Sequence, residues 1–119
     1  MARYSIVEKN VEYIPKWDGN REKDEPIKFT LRYINNSERA KCYAVKADSK
    51  GETFIEPDND LLIKYGVIGI ENLEVENETG EVRNVKNAVE FRNVRGFPEL
   101  YLEIATQVLI MNARQDLGN

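Results

Sequence analysis

Histidine is absent from this chain and cysteine occurs once, as Cys42. Without imidazole there is no Ser-His-Asp type of triad, no His-ligated metal and no imidazole pH switch. A single thiol excludes an intrachain disulfide and any cysteine cluster for zinc or iron–sulfur. Long apolar runs are also missing. The longest uncharged apolar stretches, residues 66–70 and 108–111, fall far short of the ~20 residues a membrane span requires. The opening MARYSIVEKN carries Arg3, Glu8 and Lys9 and lacks the apolar core of a secretion signal. Positive charge is not in surplus either: 17 Lys and Arg stand against 21 Asp and Glu, a net charge of −4. That balance argues against sequence-independent binding of nucleic acid, which needs clustered cations to neutralise phosphates. No glycine-rich phosphate loop is present, since Gly66-Val67-Ile68-Gly69 is a bare G-x-x-G.

What is present suits one domain over residues 1–119, 41% hydrophobic and 32% charged, with a modest core and no disordered composition. The lone cysteine without an export signal fits a reducing cytoplasm. Asn35-Asn36-Ser37 and Asn77-Glu78-Thr79 match the glycosylation pattern and, in that setting, read as polar turns.

Periodicity supplies the elements. Ile27, Phe29, Leu31 and Tyr33 alternate with Lys28, Thr30 and Arg32, the signature of a strand with one face on a core. Alternation resumes at Tyr43, Val45 and Ala47, which predicts an antiparallel hairpin over residues 27–47 with a loop near 35–40. A turn at residues 48–51 leads to a short strand over 53–56. Asp58 reads as the N-cap of a two-turn helix bearing Leu61, Leu62 and Tyr65 and closed by Gly66. A strand is expected from about 67 to 76, then a hairpin loop at 77–80 and a return strand over 81–84. Asn84 is a candidate cap for a short helix over 85–92. Leu100, Tyr101, Ile104, Ala105, Val108 and Met111 recur at helical spacing behind Pro98, so the longest helix is expected from 98 to about 113, with the tail 114–119 fraying. Tyr4 and Ile6 alternate well enough for an edge strand. Residues 16–26 read as an exposed charged loop or arm, seven of the eleven being charged. The class is therefore α+β: an antiparallel sheet of about four to six strands with two or three helices, the longest at the C-terminus and lying on Phe29, Leu31 and Tyr33.

Several residues invite a functional reading beside a structural one. Leu102 and Leu109 widen the apolar arc of the C-terminal helix to about 200° at 100° per residue, and Ile110 falls outside it. Either a second layer, such as the 85–92 helix, covers that arc, or it is a docking face for a partner. Trp17, alone in the charged arm, is either an anchor pinning the arm or an interface hot spot. Glu56, Asp58 and Asp60 lack the glycine and distal glutamate of a calcium loop and read as capping and solvation. No two of these carboxylates stand out as a pair for glycoside chemistry. Cys42 reads as a small apolar residue in a half-buried strand. Arg92 and Arg95, near Phe91 and Phe97, read as a solvated loop before a nucleic-acid contact. No catalytic residue, cofactor site or metal site is expected.

Three stretches carry a resemblance. Tyr13-Ile14-Pro15-Lys16-Trp17 is followed by Gly19-Asn20-Arg21 and Glu25-Pro26 ahead of the alternating strand. Gly69-Ile70-Glu71-Asn72-Leu73-Glu74-Val75 precedes a glycine turn, and Phe97-Pro98-Glu99-Leu100-Tyr101-Leu102-Glu103-Ile104 opens the last helix. In this order and spacing they resemble the tail assembly chaperone family of long-tailed bacteriophages and prophages. The resemblance implies a non-enzymatic role in the host cell cytoplasm. It implies binding to the hydrophobic tape-measure protein during tail morphogenesis, with self-association and without nucleic acid or membrane as partners. Trp17, Leu102, Leu109 and Ile110 are the expected partner-binding residues. The alternative is a structural virion component, such as a head–tail connector, decoration or tail-completion protein.

Overall fold

The structure is a computed structural model and describes residues 1–113. Its strands are β1 (Val11–Tyr13), β2 (Lys28–Leu31), β3 (Tyr43–Ala47), β4 (Thr53–Pro57), β5 (Val67–Glu71), β6 (Glu74–Glu76) and β7 (Val82–Asn84). Its helices are α1 (Asn36–Lys41), α2 (Asn59–Gly66), α3 (Ala88–Asn93) and α4 (Pro98–Asn112), with a 3-10 segment at Trp17–Glu22. The fold is α+β, with antiparallel pairing throughout and the longest helix last. The strands form three small sheets: β1-β2-β5, β3-β4 and β6-β7.

The expected hairpin over residues 27–47 does not form. β2 lies between β1 and β5, and β3 pairs with β4 instead. The cause is local. Asn35 accepts from the Glu38 N–H while the Glu38 carboxylate accepts from the Asn35 N–H, a capping box that turns the supposed loop into α1. Arg32 then pairs with Glu38 and ties the helix back to the end of β2. The expected strand over 67–76 is broken in two at Asn72, whose φ of 65° cannot continue a strand. The helix expected over 85–92 begins three residues later, because Asn87 and not Asn84 caps it, and Val85 is buried ahead of it. The edge strand of the central sheet is β1; of the strand expected at Tyr4 and Ile6 only a single β-bridge at Ile6 forms, and both side chains are exposed. The expected fraying of residues 114–119 lies outside the described residues.

Elsewhere the expectations hold. Asp58 caps α2 and accepts from the Leu61 N–H, Gly66 closes that helix, and residues 77–80 turn between β6 and β7. Phe29, Leu31, Ile34, Leu62, Ile63, Leu100, Ile104 and Val108 are almost fully buried in one core. Leu100, Ile104, Val108 and Met111 of α4 face inward as expected, and Tyr33 packs at the core's edge. The nearest neighbour of α4, however, is α2 and not the sheet. A Cβ on Gly66 would lie 2.5 Å from Val108 Cγ1, so the two helices approach at a point where only glycine fits.

The register places the two hairpins. Leu31 pairs with Val67 at one end of the central sheet and Lys28 with Glu71 at the other. The β3-β4 hairpin leaves from the first end through α1 and returns through α2, and the β6-β7 hairpin leaves from the second.

Candidate functional site

The C-terminal helix carries the most informative surface. Its first turn is set by Pro98, and its inward residues bury completely or nearly so. Leu102, Thr106 and Ile110 face outward one turn apart and are uncharged, with Glu99 exposed in the first turn. Leu102 is 54% exposed and Ile110 52%. Among the described residues no layer covers them: α3 packs on α2 and β5. Leu109, expected on the same face, is half-buried against the core and does not belong to this ridge. Ile110, by contrast, stands with Leu102 in solvent.

The arm is ordered. Asn20, fully buried, donates from Nδ2 to the Pro15 carbonyl (2.9 Å) and the Ile27 carbonyl (3.0 Å), and its Oδ1 accepts from the Ile27 N–H (2.7 Å). One amide thus closes residues 15–27 into a loop. Glu103 of α4 holds the same loop from outside. Its carboxylate accepts from the Tyr13 hydroxyl (2.7 Å), the Lys16 N–H (2.7 Å) and the Trp17 N–H (3.0 Å). Burial, and then the Glu103 carboxylate, push the Tyr13 hydroxyl up to about 12. Trp17 packs edge-on to Phe97, with ring centroids 5.4 Å apart. Its anchoring role is therefore visible. Neither Asn20 nor Glu103 was identifiable from sequence, since nothing in the pattern separates them from their polar neighbours.

Between the arm and the β6-β7 end lies an open cleft of about 950 Å³, with Trp17, Asp18, Asn72, Leu73, Val85 and Phe97 among its walls. Asp18, Asn72 and Phe97 have φ of 54°, 65° and 58° and are the non-glycine residues of positive φ among those described. All three line this one cleft. Left-handed backbone at ordinary residues is costly and persists where the surrounding structure holds it.

The acidic residues serve the scaffold. Asp60 on α2 accepts a two-pronged bond from Arg92 on α3 (3.0 and 2.6 Å) and another from the Tyr101 hydroxyl on α4 (2.7 Å). The Arg92 bond, and then that of Tyr101, lower the Asp60 carboxyl to about 2, while burial raises the Tyr101 hydroxyl well above its ordinary range. Arg92 is thus committed to Asp60. Cys42 is buried, and desolvation, with Asp58 and Glu38 nearby, pushes its thiol up, the opposite of what a reactive thiolate needs. Among the described residues no group of three or more His, Cys, Asp or Glu is placed to hold a metal ion, and no helix is long and apolar enough to cross a membrane.

No known family, curated protein or solved structure matches this chain.

Proposed function

We propose that this chain is a non-enzymatic, chaperone-like bacteriophage tail assembly protein that binds the hydrophobic tape-measure protein during tail morphogenesis. The observation that carries this reading is the uncharged ridge of Leu102, Thr106 and Ile110 on a helix whose opposite face is fully engaged in the core. An apolar helix in a partner meets such a ridge by side-chain packing, and the exposed Glu99 beside it keeps a polar rim. The ridge is narrow, so the contact is reversible, as a coat that must later be shed requires.

The test is co-purification with a bacteriophage tape-measure protein. Leu102→Asp with Ile110→Asp is expected to abolish capture and to leave the circular dichroism spectrum and melting temperature unchanged, because neither side chain fills the core. Capture that survives the double variant sinks the assignment of this ridge. Recovery of the protein in purified mature particles would favour a structural virion component in its place.

A further inference from the structure

The β3-β4 hairpin is anomalous for a chain with so small a core. It is a two-stranded sheet with solvent on both faces. Val45 is 73% exposed and Ile55, directly opposite it, 69%. Tyr43 and Phe54 are exposed as well. An isolated hairpin of this length is marginal in water and is usually completed by a further strand.

The hairpin's own hydrogen bonds show which backbone groups of β3 face away from β4. Asp48 donates its N–H to the Glu52 carbonyl (2.9 Å), and Asp58 donates to the Cys42 carbonyl (2.6 Å). In an antiparallel ladder the bonded pairs alternate, so residues 42, 44, 46 and 48 turn their backbone groups toward β4. Tyr43, Val45 and Ala47 therefore turn theirs outward. β3 contains no proline and no bulge, and Lys46 is the one charge that guards it. β4 is better guarded, because it contains Glu56 and ends in Pro57, which has no N–H to donate.

We propose that the outer edge of β3 pairs antiparallel with β3 of a second copy about a two-fold axis at Val45, joining two hairpins into one four-stranded sheet. The parity closes on itself. With Val45 opposite Val45, Tyr43 falls opposite Ala47, and all three residues present outward N–H and C=O groups to each other. On one face the order across the sheet becomes Ile55, Val45, Val45, Ile55, an unbroken apolar row. On the other face the row is Glu56, Ala44, then Lys46 and Phe54 of the second copy. Lys46 and Glu56 of different copies then lie two strands apart, roughly 10 Å between backbones. The small Ala44 between them leaves room for the two long side chains to meet. The interface is isologous, so every such contact occurs twice. The seam is five residues long on each side, short beside the roughly 20–30 residues a side of a standard interface. The dimer is accordingly weak and concentration-dependent. This inference is independent of the tail-assembly reading and uses a different surface from α4.

The test is light scattering of the full chain over a concentration series up to ~1 mM, the range where a weak pair populates. Wild type is expected to pass from monomer to dimer and no further. Val45→Pro removes an outward N–H and no bond to β4, so the hairpin survives while the dissociation constant rises at least ~tenfold. Lys46→Glu weakens the dimer, and Lys46→Glu with Glu56→Lys restores it; both sites are exposed, so this pair of variants stands even if the proline variant misfolds. Amide exchange on wild type is expected to slow at Tyr43, Val45 and Ala47 as concentration rises. A wild type that stays monomeric throughout overturns the proposal. So does a dimer that ignores these substitutions, or exchange at those three amides that does not change with concentration.

Discussion

Asn20 shows how much one buried amide can organise. Its three bonds replace the water that the Pro15 and Ile27 carbonyls and the Ile27 N–H would otherwise hold. Asn20→Ala leaves those groups buried and unpaired, at a cost of about 1–3 kcal/mol for a single unsatisfied group. Denaturant unfolding of that variant is expected to show a loss of about 2–3 kcal/mol, with faster amide exchange in residues 15–27. The Tyr13–Glu103 bond has a pH signature. Tyr13 is raised from 10.0 to about 12 in the folded chain, so folding favours its neutral form. The stability this contributes is fully present below pH 10 and is lost as pH rises toward 12. In Glu103→Gln the phenol absorbance of Tyr13 is expected to titrate lower, though still above 10.0 because burial is the larger cause. An unchanged titration would show that Glu103 does not hold that hydroxyl.

At the scale of elements, the contact between α2 and α4 is decided by one missing side chain. A glycine in a helix normally gains stability on replacement by alanine, by up to about 1 kcal/mol. Gly66→Ala is expected to reverse that sign. Its methyl would sit 2.5 Å from Val108 Cγ1, and forcing the helices apart costs about 1–3 kcal/mol. Thermal melts of Gly66→Ala and of Gly66→Ala with Val108→Ala separate the two contributions: the second substitution should recover part of the loss. If Gly66→Ala melts higher than wild type, the helices are not in the close contact described. The capping box of Asn35 and Glu38 acts at the same scale, since four residues redirect the chain from the expected hairpin and leave β3 free to pair with β4.

At the scale of the molecule, the Asp60 cluster ties α2, α3 and α4 together through one carboxylate. Asp60 is lowered from 3.8 to about 2, so its contribution is present above pH 3.8 and is lost as pH falls toward 2. The cluster is partly exposed, and the effect is screened by salt. Acid unfolding of Asp60→Asn is expected to depend less steeply on pH across that window than wild type, with Glu38, also lowered, still contributing. The same scale sets the two exposed apolar surfaces apart: the ridge of α4 lies on the helical layer, while the β3 edge projects from one end of the central sheet.

The sequence by itself determined the class, the inward face of α4, the cap at Asp58, the start of α4 at Pro98, and the turn at residues 77–80. Each of these rests on contacts among near neighbours in the chain, where spacing and side-chain chemistry decide the outcome. It did not determine which strand pairs with which, and the hairpin expected over residues 27–47 does not form, because the alternation in residues 27–33 and 43–47 suits any partner of matching period. Tertiary structure decided that β2 lies between β1 and β5, that Leu109 turns to the core while Leu102 and Ile110 stay in water, and that Trp17 docks on Phe97. It also placed Asn20 and Glu103 where they hold the arm. Those outcomes depend on contacts such as Tyr13 with Glu103, 90 residues apart, and on which apolar surface is covered once the chain has closed on itself. Local periodicity carries no record of either.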